Sequence, residues 1–410
     1  MTGKELAGTL LAANRFAYPR TAARERAGKP STMNKIETER PGANPGVLPY
    51  QELRDLAGRA IRPAQPLTDA QLQPASLDLR LGTRAYRVRA SFLPGPEATV
   101  ESKIAKYGLY DFDLSDGAVL ERGCVYIVPL LESLDLPQSL SGTANPKSST
   151  GRLDIFTRLI ADRSSEFDRV RAGYAGPLYA EISPRTFSVR VRTGTRLSQL
   201  RLRRGRTATS NADLRRLHAR DPLVEQTGSA PANIERGRLS VSIDLAGHPA
   251  TGLVGFKAKR DAGVIDYERI RHYDPFDYWE PIYARQHDFI VLNLDDFYIL
   301  ASKEAVSVPP EYAAEMVPYD TEVGEFRVHY AGFFDPGFGH REQGGSGSRA
   351  VLEVRPHEVP FMLEDGQLVG RLAYERLAAL PERLYGTGIG STYQAQGLRL
   401  SKHFKEPVGL

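Results

Sequence analysis

Lys147-Ser148-Ser149-Thr150-Gly151-Arg152 gathers two fixed cations, a run of hydroxyls and a glycine into six residues, directly after an apolar stretch that ends near Leu140. Such a set suits an anionic, phosphorylated ligand. Lys and Arg supply charge, hydroxyls and free backbone N–H groups supply donors, and Gly151 lets the backbone approach closely. The same composition also makes an ordinary solvated turn, and the run alone does not choose between the two. Glu181 in Leu178-Tyr179-Ala180-Glu181-Ile182 and Glu353 in Ala350-Val351-Leu352-Glu353-Val354 are the second feature. A carboxyl held among apolar groups has a raised pKa and can serve as general base or acid. An alternating strand that turns its glutamate to water is the competing reading. His340-Arg341-Glu342 matches half of a zinc-deaminase motif, but the other half needs two cysteines and the chain has one, Cys124. Zinc-dependent base deamination is therefore excluded, and the scattered histidines offer no ligand spacing. Gly386-Thr387-Gly388-Ile389-Gly390 has the glycines of a dinucleotide loop but no βαβ unit after it, and is set aside.

The elements that must position these groups are mostly strands. Gly 37 and Pro 28 imply many turns and few long helices. One short helix is expected from Tyr50 to Arg59; Ser76 to Leu81, Val125 to Val128 and Phe187 to Val191 read as strands. A length of 410 residues favours two domains, and 41% hydrophobic with 25% charged residues is the balance of a soluble globular protein. No apolar run approaches the roughly 20 residues of a membrane span, so no membrane partner is expected. A single cysteine forbids an intrachain disulfide; Cys124 reads as a small core residue and the compartment as reducing cytoplasm. Residues 6–13 lack the strength of a signal peptide, and Met33 is an alternative start. Arg201, Arg203, Arg204, Arg206, Arg215 and Arg216 cluster in a stretch read as a solvated basic linker. It lacks interleaved aromatics, so no nucleic-acid partner is expected.

The second half repeats the first. Leu120 to Pro137 corresponds to Leu292 to Pro309, and the Glu181 segment to the Glu353 segment, each followed by a Gly turn and another apolar strand. The predicted organisation is a flexible arm over 1–46, a β-domain over 47–203, a polar linker over 204–240, a second β-domain over 241–383 and a C-terminal arm over 384–410.

Several of these segments resemble the dCTP deaminase family. Gln73-Pro74-Ala75-Ser76-Leu77-Asp78-Leu79-Arg80-Leu81-Gly82 resembles its early signature, and Lys147 to Arg152 its phosphate and catalytic motif. Ala331-Gly332-Phe333-Phe334-Asp335-Pro336-Gly337-Phe338, followed by the Glu353 strand, resembles the hairpin that holds the base pocket and catalytic glutamate. Tyr385, Tyr393, Gln396-Gly397, Ser401 and Lys402 resemble the arm that closes over the triphosphate. The resemblance spans roughly residues 47–405. It implies a mainly β fold, two tandem dUTPase-like distorted β-barrel or jelly-roll domains with few short helices, assembled as a homo-oligomer such as a trimer of tandem chains. It implies cytoplasmic deamination of dCTP to dUTP and ammonia without zinc. The glutamate would shuttle a proton, Ser148 would position water or the amino group, and Arg152 would organise the site and its charge. Lys147, Ser149, Gly151, Ala331, Phe334, Asp335, Tyr385, Tyr393, Gln396 and Lys402 would contact the substrate. Mg²⁺ would arrive with the triphosphate, and dTTP is implied as a feedback inhibitor.

Two departures from the family pattern stand out. In the first repeat, Phe167-Asp168 is separated from Gly173-Tyr174 by Arg169-Val170-Arg171-Ala172; in the second, Val317-Pro318-Tyr319 replaces Lys-Ser-Ser. Either the first repeat keeps a complete site around Glu181, or Ser148 and Arg152 combine with Glu353, the arrangement expected here. Two other functions remain open at this point. One is dUTP diphosphatase, alone or as a second activity with Asp168 or Asp335 activating water; the other is a non-catalytic deoxynucleotide-sensing module.

Overall fold

The computed structural model describes residues 44–225, 232–284, 289–317, 326–328, 332–343, 346–356, 359–386 and 397–406. Strands dominate, and the same strand pairs occur twice. In the first half Val125–Asp135 pairs antiparallel with Ala175–Pro184, and Leu140–Pro146 with Ser198–Arg204. In the second half Tyr298–Val306 pairs with Ser348–Pro356, and Tyr312–Val317 with Leu368–Arg376. Register repeats as well. Glu181 stands opposite Ile127 and Glu353 opposite Ile299, both positions being 172 residues further on. The duplication read from sequence is thus a duplication of sheets.

Neither glutamate faces water. Residues 178–184 are buried throughout, as are 352–356, which is the behaviour of a strand covered on both faces. The helix expected from Tyr50 forms over Tyr50–Leu56 with Tyr50 and Leu53 inward. A second helix, Val100–Tyr107, starts at Thr99, whose hydroxyl accepts from the Ser102 N–H.

The two halves share a core. Leu153, Ile155, Phe187 and Val189 cluster with Phe256, Trp279, Ile299, Leu400 and Phe404, and Cys124 packs partly buried against them. A three-stranded sheet also crosses between the halves, where Val189–Val191 pairs with Ala118–Leu120 on one edge and, in parallel, with Ile265–Asp266 on the other. Each fully buried large apolar side chain contributes on the order of 1.5–3 kcal/mol, so this joint core is a substantial fraction of the fold.

The stretch expected as a polar linker is built into the second half. Helix Asn211–Arg220 is capped by Ser210 and buries Leu214 and Leu217 beside Ile234 and Leu239. Its basic cluster is divided: Arg206, Arg215 and Arg216 are exposed, as expected, while Arg201, Arg203 and Arg204 are drawn in and paired. Arg201 is fully buried and donates to the Ala314 carbonyl at 3.1 Å. Arg203 donates to Glu375 at 2.6 Å and Glu315 at 3.0 Å, and Arg204 to Glu52 at 2.7 Å. Buried cations need such partners, and these lie far along the chain. Among the described residues no helix is long and apolar enough to cross a membrane.

Candidate functional site

Strand Leu140–Pro146 ends where proline removes a ladder donor, and Lys147, extended at ψ 148°, leads into a single helical turn, Ser148–Gly151. The turn closes through Thr150 N–H and Arg152 N–H, which donate to the carbonyls of Lys147 and Ser148 at 2.8 and 3.0 Å. It is no solvated loop: Ser149, Thr150 and Arg152 are all buried. Lys147 Nζ lies 2.6 Å from Oδ1 of the buried Asp78, so the first sequence motif anchors the second. The other anchors come from the second repeat. Tyr267 Oη lies 3.0 Å from Ser149 Oγ and 2.7 Å from Thr150 Oγ1. Ser401 Oγ donates to the Ser149 carbonyl at 2.8 Å, and Arg152 Nη1 donates to the Arg399 carbonyl at 3.0 Å. His403, fully buried, bridges Ser401 Oγ and the Tyr267 carbonyl at 2.9 Å each. Burial and the nearby Lys402 push its pKa down to about 3, so it is neutral. Ser148 is half-buried, and its hydroxyl has no hydrogen-bond partner among the described residues.

Glu353 approaches this turn from the second repeat. Burial pushes its pKa up to about 8; Arg152 opposes that shift and Asp154 adds to it. Near neutral pH it therefore holds a proton. Asp154 accepts from Thr186 Oγ1 at 2.6 Å and pairs with Arg355, which lies two residues beyond Glu353. Asp335 is pushed up to about 6 by burial, against the pull of Arg201 and then Lys147. Lys402 is pushed down by burial, helped by the charges of Lys147 and Arg196. Phe334 and Tyr385 both pack against Phe338, with ring centroids 5.1 and 5.6 Å away. Lys147, Ser148 and Arg152 of one repeat thus share a neighbourhood with Asp335, Glu353 and Lys402 of the other. Ala331, Tyr393, Gln396 and the Pro318-Tyr319 pair lie outside the described residues.

Glu181 is differently placed. Its Oε1 accepts from Arg158 Nε at 3.1 Å and Nη2 at 2.5 Å. Arg158 is itself held 3.4 Å over the Phe167 ring. Asp168, pushed up to about 7 by burial despite the Leu159 N–H and Arg158, adds a second carboxyl beside this pair. Among the described residues Glu181 makes no hydrogen bond or ion pair with the 147–152 turn. Sequence reading missed Asp154, Thr186, Tyr267, Arg355 and His403. One of these, Arg355, sits two residues from Glu353, a spacing that puts both side chains on the same face of a strand. Among the described residues no three His, Cys, Asp or Glu side chains are grouped to hold a metal ion.

Comparison with known proteins accounts for most of the chain. The 2'-deoxycytidine 5'-triphosphate deaminase N-terminal domain model matches residues 44–206, and the C-terminal domain model of the same family matches 210–404. The crystal structure of 2'-deoxycytidine 5'-triphosphate deaminase from Agrobacterium tumefaciens is similar with a TM-score of 0.78 and 55% identity, over 82% of this chain and 99% of that one. A dCTP deaminase from Halorubrum lacusprofundi is 31% identical over 38% of this chain and 75% of its own length. A dUMP-forming dCTP deaminase from Beutenbergia cavernae is 33% identical over 26% of this chain, which spans about half, 53%, of that relative.

Proposed function

The chain belongs to the dCTP deaminase family, and from that premise we propose that its hydrolytic deamination of dCTP runs in a composite site, with Ser148 and Arg152 from the first repeat and Glu353 from the second. The reaction adds water at C4 of cytosine and expels ammonia, so one proton must reach the ring nitrogen and one the departing amine, and the water gives up both. A carboxyl that titrates near the working pH serves every one of these transfers. Glu353 as the protonated acid gives its proton to the ring, takes one from the attacking water as a carboxylate, passes it to the amine, and recovers one from the C4 hydroxyl as the C–N bond breaks and the carbonyl forms. Ser148, with its hydroxyl free of partners among the described residues, positions the water or the amino group. Arg152, rigid through its bond to the Arg399 carbonyl, stabilises negative charge as it develops. Lys147, Ser149, Gly151 and Lys402 bind the triphosphate, whose Mg²⁺ is held by phosphate oxygens and water. Asp335, Phe334 and Tyr385 shape the base and sugar pocket together with Ala331, Tyr393 and Gln396.

What supports Glu353 over Glu181 is their surroundings: burial raises the Glu353 carboxyl beside Arg152, while Glu181 accepts two bonds from Arg158. Glu353→Gln keeps shape but cannot carry the proton, and is expected to abolish ammonia release from dCTP with Mg²⁺. Full activity in that variant overturns the composite site. A sensing module would bind dCTP and release no ammonia in the unaltered protein.

A bifunctional reading rests on the relatives described as dUMP-forming and on the raised Asp335 carboxyl. Pyrophosphate released together with ammonia supports it, and dUTP as sole product rules it out. A cytoplasmic setting, a trimer of tandem chains and inhibition by dTTP complete the proposal.

A further inference from the structure

A cavity of about 460 Å³ lies in the first repeat between strand Leu140–Pro146, the 161–166 loop and the hairpin that ends at Tyr174. Its size falls in the range of small-molecule sites. Arg163, Arg169 and Arg171 line it from the loop and hairpin, and Arg203 lines it from strand Ser198–Arg204. Two carboxylates, Asp162 and Glu166, also line it, and Asp162 is engaged by the Val100 N–H at 2.7 Å. Arg163, Arg169 and Arg171 form no ion pair with any described residue. Arg169 makes one long contact with Thr143 Oγ1, at 3.4 Å. Arg171 is exposed; it donates to the Arg163 carbonyl at 3.4 Å, and its guanidinium lies 5.9 Å from the Tyr174 ring. Tyr174 is in turn fixed by donating to the Pro177 carbonyl at 2.6 Å and accepting from the Asp162 N–H at 3.1 Å. Arg203 is pinned by Glu315 and Glu375, yet its Nη1 is buried without a hydrogen-bond partner.

Exposed guanidinium groups converging on one cleft without an anion are what a multivalent phosphate satisfies, since each offers a planar fork to phosphate oxygens. We propose that this cleft binds a polyphosphate anion, either free polyphosphate or the triphosphate end of a nucleotide, apart from the 147–152 turn. Thr143 on the cleft wall lies five residues before Ser148 on the strand that delivers the turn, so an occupant here contacts the element that positions the catalytic hydroxyl. The assignment does not depend on which glutamate is catalytic.

Calorimetric titration of the full chain with sodium tripolyphosphate, at constant ionic strength, tests it. Binding is expected to survive Lys147→Ala and to weaken by at least about ten-fold, or 1.4 kcal/mol, in Arg169→Ala/Arg171→Ala, with basal ammonia release unchanged. Displacement by dATP assigns the site to nucleotides, and its absence assigns it to free polyphosphate. Absence of binding to the unaltered protein, unchanged affinity in the double variant, or loss of all binding in Lys147→Ala each overturns the proposal. Should circular dichroism show the double variant misfolded, Arg163→Ala, at an exposed position, serves the same comparison.

Discussion

Glu181 and Glu353 occupy matching registers in duplicated strands, and both are buried, yet one holds a salt bridge and the other a proton. The strand does not decide the difference. Arg158 stands directly across from Glu181 in the neighbouring strand and reaches its carboxylate with two nitrogens. Around Glu353 the attraction of Arg152 is outweighed by burial and by Asp154. Duplication leaves two copies of a buried carboxyl, and the charge on the facing element pairs one and leaves the other raised by burial.

The sharpest break of this comparison is the pair of amides. Glu353→Gln is expected to lower ammonia release by about 10²–10⁴-fold, the usual contribution of a general acid–base group, and Glu181→Gln by no more than a few-fold. The reverse order would return catalysis to the first repeat. Ser148→Ala and Arg152→Ala come next, each expected to cost orders of magnitude in turnover. They should part company in thermal melts. Ser148→Ala keeps the fold, whereas Arg152→Ala removes a buried cation bonded to the Arg399 carbonyl and lowers Tm.

The pH dependence sharpens the contrast further. Glu353 is raised from 4.5 to about 8, so the folded state binds its proton more tightly than the unfolded chain does. Stability from this group is complete at low pH and declines as pH rises through that window. Melts from pH 5 to 9 should show a decline in the unaltered protein that is reduced in Glu353→Gln; Asp168 and Asp335, raised in the same sense, keep part of it in both. A decline of equal size in Glu353→Gln would remove the protonated carboxyl from the argument. The smallest effect is expected for Lys402→Ala: a several-fold higher KM for dCTP with kcat nearly unchanged, read in steady-state assays.

Turns and strands were legible because their signals are local. Lys147 to Arg152, the glutamate strands and the order of the repeats all follow from neighbouring residues and periodicity. Ion pairing was not, because it depends on register between distant strands. Arg201, Arg203 and Arg204 look like a solvated run until Glu375, Glu315 and Glu52 are brought beside them. Arg158 and Glu181 are 23 residues apart and meet across an antiparallel ladder that composition does not encode. The C-terminal segment was expected, by resemblance, as an arm closing over the triphosphate; in the fold Ser401 donates to the Ser149 carbonyl. That Leu400 and Phe404 also enter the shared core was not legible, since two apolar residues in a polar tail carry no signal of their destination.

Dilution separates subunits but not segments of one polypeptide. Tyr267, Arg399 and Ser401 clasp the Ser148 turn from within the same chain that carries Glu353. For these groups encounter is intramolecular, and the local concentration of each half about the other is set by tether and packing instead of by how much protein is present. The meeting of turn and glutamate is then first order in protein. It persists at enzyme concentrations too low for separate chains to find one another, and a cell that makes few copies still makes the two halves in equal number.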